Sequence, residues 1–184
     1  MKLLRIDSSS KGDGIPAHCP VCPLAKQTRL TFPVSTTRAS MMFDVVHMDL
    51  WGSYKTPTLD RKHYFLTIVD DYSRFVWVHL LQLKSETIVA IKNFLLMIKT
   101  QFNSHVKVVR SDNGTEFLNS QCRDLFNQLG ILHQSSYPHT PQQNGVVERK
   151  HRHILNIARA IRFQAHPPIR FWGYCIKAAV LFDE

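Results

Sequence analysis

Three carboxylates stand at positions in the sequence where an acidic residue needs an explanation. Asp49 lies on the predicted inward face of a strand, Asp112 closes another strand just before a turn, and Glu148 lies in the first turn of a long helix. A buried carboxylate is expected to be paired, protonated or bound to a metal. Oxygen ligands favour Mg²⁺ or Mn²⁺. Two such ions, about 3.5–4 Å apart, can activate a hydroxyl and stabilise the leaving oxygen in phosphodiester displacement.

Each of these residues also has a purely structural explanation. An Asp at the end of a strand is commonly a turn residue, and a Glu in the first turn of a helix complements the helix dipole. Asp70 and Asp71 compete as metal ligands, although a predicted hairpin accounts for both of them. A metal site therefore requires a fold that brings Asp49, Asp112 and Glu148 together.

Alternating and helical hydrophobic patterns outline the elements that would position these residues. The predicted strands are 43–50, 63–69, 75–81, 106–110 and 131–135. The predicted helices are 85–102 with Ser85 as its N-cap, 118–129, 146–163 and 169–182. In the first strand, Phe43, His47 and Asp49 are predicted to share one face. This order predicts an α/β fold with a mixed sheet, in which the first and fourth strands can be neighbours.

The strings around the three carboxylates narrow the interpretation. They read His47-Met-Asp-Leu-Trp-Gly52, Arg110-Ser-Asp-Asn-Gly-Thr-Glu-Phe117 and Pro141-Gln-Gln-Asn-Gly-Val-Val-Glu-Arg-Lys150. Between Asp112 and Glu148 there are 35 residues. From about residue 19 to its end, the chain resembles the catalytic core of retroviral-type integrases, most closely those of copia-type retrotransposons. The segments 26–33 and 67–74 also match.

The resemblance implies a ribonuclease-H-like fold, with a mixed five-stranded sheet and helices on both faces. It also implies that Asp49, Asp112 and Glu148 are catalytic residues that bind two Mg²⁺ or Mn²⁺ ions. Water would trim the 3′ end of the element's DNA, and the freed 3′ hydroxyl would attack a phosphodiester of target DNA. The expected function is DNA integration, and the alternative is a catalytically inactive, nucleic-acid-binding remnant of a retrotransposon.

Basic side chains follow Glu148 along the predicted long helix. Arg152 comes one turn after Glu148, which places it best to hold a phosphate beside the metals. Such residues give DNA affinity that is independent of sequence and weakens with salt, although a solvated helix face is the alternative. Of these, Arg149, Lys150 and Arg152 are predicted to bind DNA. The basic residues of this helix are Arg149, Lys150, Arg152, Arg159 and Arg162.

The loop before the helix carries three side-chain amides, those of Gln142, Gln143 and Asn144. Amides can contact base edges or the DNA backbone, and Gly145 would let the loop flex. The resemblance also implies DNA contacts in this loop. An ordinary polar loop is an equally good interpretation.

Cys19 and Cys22 have the spacing of a zinc knuckle, but tetrahedral zinc needs four ligands. His18 is the only His before this pair, whereas the resembling family has two. We therefore expect no stable zinc site, and we expect residues 1–40 to be a truncated remnant of an N-terminal zinc module plus a linker. Residues 41–166 would form the catalytic core, and residues 167–184 a truncated terminal helix.

Composition sets the wider limits. The 184 residues carry 23 Lys and Arg against 14 Asp and Glu, and the formal charge of +9 indicates an anionic partner such as nucleic acid. No run approaches the roughly 20 apolar residues of a membrane span, and the sequence does not open with a secretory signal. We expect DNA as the partner, a homo-oligomer in the full-length protein, and a nuclear location or a cytoplasmic particle before import.

Overall fold

Residues 38–136 and 144–182 are described by the structure, which is a computed structural model of the chain. The strands are β1 (Val45–Trp51), β2 (Tyr64–Asp70), β3 (Val76–Leu81), β4 (Val108–Ser111) and β5 (Leu132–Ser135). They form one sheet in the order β3-β2-β1-β4-β5. The first three strands pair antiparallel, whereas β4 and β5 extend the sheet in parallel from β1.

The helices follow the order that the hydrophobic pattern predicts. They are α1 (Thr87–Phe102), α2 (Thr115–Leu118), α3 (Ser120–Gln128), α4 (Gly145–Ala165) and α5 (Trp172–Leu181). Short 3₁₀ turns, Lys84–Glu86 and Ile169–Phe171, precede α1 and α5. Within the two described ranges, none of the helices combines the length and the apolar character that crossing a membrane requires.

Two buried clusters lie on opposite faces of the sheet, as the alternation along β2 shows. Leu66 and Ile68 pack in the cluster that α1, α2 and α3 complete, whereas Phe65 and Val69 pack in the cluster that α4 and α5 complete. Successive side chains of a strand point to opposite faces, so β2 serves both clusters. The predicted mixed five-stranded sheet with helices on both faces is confirmed.

The prediction that Phe43 shares a face with His47 and Asp49 is wrong. Phe43 precedes β1, has a φ of 67°, and packs in the same buried cluster as Val46 and Met48. A residue in the left-handed region interrupts the alternation of an extended chain. The alternation of β1 therefore does not predict which face of the sheet the side chain of Phe43 is on.

Three predicted helix boundaries are also wrong. Ser85 lies inside a 3₁₀ turn, and the N-cap of α1 is Glu86, whose side chain makes no capping hydrogen bond. The helix predicted over 118–129 is divided at Asn119, whose ψ of 165° ends α2 and whose side chain accepts a bond from the N–H of Cys122. The last helix begins at Trp172, after a 3₁₀ turn. A capping Asn thus sets the start of α3.

Two buried carboxylates hold the turn between β2 and β3. Asp70 accepts hydrogen bonds from the backbone N–H groups of Phe43, at 2.8 Å, and of Ser73, at 2.7 Å. Asp71 lies 3.0 Å from the guanidinium of Arg74. These contacts agree with the interpretation that both acidic residues support the hairpin.

Candidate catalytic site

Three neighbouring elements carry the candidate catalytic carboxylates. Asp49 lies in β1 opposite Thr67 of β2, and its side chain is 22% exposed. Asp112 directly follows β4, which runs parallel to β1 and pairs with it. Glu148 lies in the first turn of α4, a helix that packs on β1 and β2. The fold therefore places the three segments that hold these residues next to one another.

The environment of Asp112 favours its protonated form. Burial is the largest cause that raises the pKa of Asp112, and the N–H of Gly114, which donates to Oδ1 at 3.0 Å, opposes it. The charges of Asp49 and Glu116 raise the pKa further. A group with this balance binds a cation readily, because the cation relieves both the desolvation and the repulsion.

Glu148 shows the same pattern although it is exposed as a residue. Loss of water around the carboxyl group, followed by the charge of Asp49, raises the pKa of Glu148, and the charge of Asp112 raises it as well. Arg152 and Arg149 lower it. The three carboxylates thus lie within one another's electrostatic field.

The donor chemistry of these residues fits a divalent cation, because hard cations prefer several carboxylate oxygens. Over residues 38–136 and 144–182, however, no three His, Cys, Asp or Glu side chains form a ready metal-binding group. The structure supplies suitable ligand types in a shared field, and the ligands are not already arranged as a coordination shell.

His151 is a site residue that the sequence interpretation missed. Its Nδ1 lies 2.9 Å from Oδ2 of Asp49, and the residue is 5% exposed. The ring also packs against Phe65, with 4.6 Å between the ring centroids. His151 comes three positions after Glu148, a spacing that places two side chains on one helix face. That spacing is the signal that could have identified it.

The loop after Asp112 is shaped by a glycine and a second acidic residue. A Cβ on Gly114 would lie 2.8 Å from Oε1 of Glu116 and 3.0 Å from Oδ1 of Asp112, so another residue here would require the Glu116 side chain to shift. Glu116 is buried and lies 3.6 Å from Nζ of Lys84. The Asp-Asn-Gly-Thr-Glu string therefore packs two carboxylates around one glycine.

The basic residues of α4 divide into two groups. Arg149 and Arg152 act electrostatically on Glu148, at the start of the helix. Arg159 and Arg162 instead line an apolar pocket of about 130 Å³, together with residues such as Trp172. The second group therefore belongs to a different part of the helix surface from the candidate site.

Asn144 occupies the N-cap position of α4 but does not cap the helix with its side chain. It is 2% exposed, and its Nδ2 donates to the backbone oxygen of Met48 at 3.1 Å. The predicted DNA contact of Asn144 stays a prediction, and the structure gives its amide an internal partner. Gly145 is the first residue of α4.

Several predicted binding residues lie outside the described ranges. Gln142 and Gln143 fall between residues 136 and 144, and Cys19 and Cys22 precede residue 38. Their predicted roles, including the expectation that no stable zinc site forms, stay predictions.

Comparison with known proteins gives a family match and several relatives. Residues 39–141 match the family model described as "Integrase core domain". The chain is 32% identical over 161 residues to "Retrovirus-related Pol polyprotein from transposon TNT 1-94" of Nicotiana tabacum, covering 88% of the chain and 12% of that relative. It is 34% identical over 174 residues to the Pol polyprotein from transposon RE1 of Arabidopsis thaliana, covering 90% of the chain and 11% of that relative.

A solved structure gives a likeness of fold. The cryo-EM structure of a simian T-cell lymphotropic virus intasome, in complex with PP2A regulatory subunit B56 gamma, matches with a TM-score of 0.61 at 16% identity. The match covers 78% of this chain and 49% of that chain. The chain spans about a tenth of the length of the two curated relatives.

Proposed function

The chain belongs to the integrase core domain family, and from this premise we propose that it takes part in DNA integration by metal-dependent polynucleotidyl transfer. Asp49, Asp112 and Glu148 come from adjacent elements, and the charges of the first two raise the pKa of the third. This shared field is the observation that supports the proposal most. Integrase core domains generally use divalent metal ions, and these three carboxylates are the residues that would hold two Mg²⁺ or Mn²⁺ ions.

Two displacements at phosphorus make up the proposed reaction. In the first, a water oxygen attacks a phosphodiester near the 3′ end of the element's DNA, and the bond to the 3′ oxygen breaks. The freed 3′ hydroxyl then attacks a target phosphodiester, whose own 3′ oxygen leaves. Bound divalent ions would supply activation of the attacking oxygen and stabilisation of the leaving oxygen. Neither displacement requires a nucleophile from the protein.

The chain's own residues orient the carboxylates and the DNA. His151 packs against Asp49 and restricts its carboxylate, and the N–H of Gly114 does the same for Asp112. Arg149 and Arg152 offer positive charge beside Glu148, where a phosphate would bind. A carboxylate held in place loses little freedom when it binds a cation, which favours the bound geometry.

A strand-transfer assay tests the proposal directly. The full chain is incubated with a labelled duplex that mimics an element end, target DNA, and Mn²⁺ or Mg²⁺. We expect joined products that EDTA abolishes and that Asp112→Asn reduces to background, because Asn keeps the shape and loses the charge. Equal products from the wild-type protein and Asp112→Asn would contradict the enzymatic proposal.

A second candidate is a DNA-binding remnant without catalysis. The basic residues of α4 and the formal charge of +9 favour it, because both support DNA binding whether or not the carboxylates are catalytic. It predicts salt-dependent DNA binding that survives Asp112→Asn, with no strand transfer by either protein. The same assay, together with a binding titration, separates the two candidates.

We further propose that DNA is the partner and that the full-length protein assembles as a homo-oligomer. The intasome likeness supports the fold on which such an assembly is built. Action in the nucleus would follow from a chromosomal target.

A further inference from the structure

A cleft of about 300 Å³ lies between the turn after β2 and the first turns of α4. We propose that this cleft binds a phosphodiester of the DNA backbone, with Arg74 as a contact residue. The proposal deepens the proposed function and rests on it. The residues that line the cleft are Arg74, Val146, Arg149, Lys150 and His153.

Arg74 is held in position before any ligand arrives. Its Nη1 lies 3.0 Å from Oδ1 of Asp71, and its backbone N–H donates to the oxygen of Asp70 at 2.9 Å. The side chain of Asp71 is itself 6% exposed and lies 3.1 Å from Nε2 of His47. Because a guanidinium has five N–H donors, the contact with Asp71 leaves others for an oxyanion. Fixing a side chain in advance lowers the entropy lost on binding.

The charge around the cleft favours an anion. Arg74, Arg149 and Lys150 contribute positive charge to the lining, and none of the described residues that line the cleft is acidic. A solvated helix face is the ordinary explanation for basic residues on α4 alone. The cleft differs from such a helix face because Arg74, which comes from another part of the chain, also lines it. The guanidinium of Arg74 contacts the buried carboxylate of Asp71.

The position of the cleft relates it to the candidate catalytic site. Arg149 lines the cleft and directly follows Glu148 in α4, so a phosphate bound there would lie beside the candidate catalytic site. Neutralising a phosphate releases counterions, and each contact steepens the dependence of affinity on salt. Arg74 should therefore add a measurable increment to that dependence.

The test compares two arginines with a similar backbone conformation. Arg61 and Arg74 both have a positive φ, 60° and 67°, and each directly follows a turn, but only Arg74 lines the cleft. Binding of a labelled duplex is titrated at several salt concentrations for the wild type, Arg74→Met and Arg61→Met. We expect Arg74→Met to lower the slope of log K against log [salt] by about 1. Arg61→Met should retain the wild-type slope.

A third variant tests the role of the fixed guanidinium. Arg74→Lys keeps the charge but offers three donors instead of a planar fork. We expect it to keep most of the salt slope and to lose several-fold in affinity. Wild-type affinity in Arg74→Lys would overturn the argument from positioning.

The outcomes separate this inference from the proposed function. If the wild type binds DNA and Arg74→Met behaves like Arg61→Met, the cleft is not a phosphate site and the proposed function stands. If the wild type shows no salt-dependent binding, both proposals fail. Thermal unfolding of each variant checks the fold, and the half-exposed side chain of Arg74 makes a folded variant the expected result.

Discussion

The carboxylates of the candidate site bring negative charges close together, and in the metal-free protein their repulsion lowers stability. Asp112 is desolvated and faces the charges of Asp49 and Glu116, and these effects raise its pKa. A raised pKa means that the folded state binds the proton more tightly than the unfolded state does. At any pH above both pKa values, the ionised carboxylate therefore lowers stability. This cost is removed as the pH falls through the raised pKa.

Neutralising Asp112 should stabilise the metal-free protein. Asp112→Asn keeps an oxygen that can accept the Gly114 N–H bond and removes the repulsion. We expect a gain on the order of 1 kcal/mol at pH 7.5, or about 2–4 °C in the unfolding midpoint. Mn²⁺ should raise the midpoint of the wild type and have little effect on the variant. A lower midpoint for metal-free Asp112→Asn would show that the ionised carboxylate does not destabilise the metal-free fold.

Sequence reasoning could identify Asp112 and Glu148 because each stands beside a local signal, a turn or a helix start. It could not identify the partner of Asn144, because Met48 lies 96 positions away in the chain. The contact of His151 with Asp49 likewise joins residues that are far apart in the chain. Residue type and spacing predict which side chains can do chemistry. Which side chains of α4 contact β1 depends instead on how the helix packs on the strand.

Among the elements, α4 is fixed at its start by a side chain that would ordinarily serve as a cap. Asn144 instead donates to the backbone oxygen of Met48 in β1, one position before Asp49. The same contact therefore ties the helix that carries Glu148 to the strand that carries Asp49. We infer that the amide sets the distance between these two elements.

Removing that amide should affect catalysis more than DNA binding. Asn144→Ala leaves a buried carbonyl without its donor, at a cost of about 1–3 kcal/mol. We expect a lower unfolding free energy in urea, a slower strand transfer, and a nearly unchanged affinity for DNA. Asn156→Ala, at an exposed position of the same helix, is the matched control. Weakened DNA binding with unchanged stability would instead support the prediction that Asn144 contacts DNA.

The packing of α5 gives a second prediction at the level of elements, because its second residue is a glycine in close contact. A Cβ on Gly173 would lie 2.8 Å from Cδ1 of Leu80 and 2.8 Å from Cγ2 of Thr58. Gly173→Ala should therefore cost about 1–3 kcal/mol through overpacking. Gly145→Ala is the control, since among the described residues its Cβ would meet only Nη1 of Arg149, at 3.7 Å.

Urea unfolding at an unchanged m value separates these two variants. We expect Gly145→Ala to be neutral or slightly stabilising, because alanine favours helix more than glycine does. Equal midpoints for the two variants would mean that α5 moves away from β3 without loss.

The hydrophobic period of the sequence predicted which segments are helices and which are strands. It did not predict where each element begins and ends. The alternation in β2 and the stripe of α1 are long enough to predict both elements and their buried faces. The break at Asn119 and the left-handed Phe43 depend on single backbone angles. Such angles are set by tertiary contacts, for example the bond from the N–H of Phe43 to Asp70. Boundary errors are therefore the expected limit of sequence reasoning here.

At the scale of the whole molecule, one face of the sheet packs a core and the other face carries the candidate site. The strands of the described residues form one five-stranded sheet, in which β1, with Asp49, lies beside β4, which Asp112 directly follows. The helices on one face complete a core that contains no candidate catalytic residue. On the other face, α4 carries Glu148, His151 and two basic residues of the cleft, Arg149 and Lys150. The formal charge of +9 is thus partly concentrated on the face that would meet DNA.

Burial of histidines makes the stability of the whole fold depend on pH. Burial lowers the pKa of His79 and of His133 below the ordinary value of 6.5, so as the pH falls the unfolded chain takes up protons at these rings before the folded protein does. The unfolded state then binds more protons, so stability is fully present above this pH and is lost as the pH falls. The lowered pKa of Asp71 acts in the same direction only at a pH near or below its ordinary value of 3.8.

Between pH 7.5 and 5.5 the histidines should therefore dominate the pH dependence of stability. We expect the unfolding midpoint to fall over this interval, with the two half-buried histidines together contributing on the order of 1 kcal/mol at pH 5.5 because solvent screens part of each effect. Thermal unfolding at pH 7.5, 6.5 and 5.5 measures the slope, and His79→Gln, which cannot titrate, should make it shallower. His105→Gln, at an exposed loop position, is the matched control and should keep the wild-type slope. A midpoint that does not fall with pH, or an equal slope in His79→Gln and the wild type, would mean that these rings are solvated enough to accept protons in the folded state.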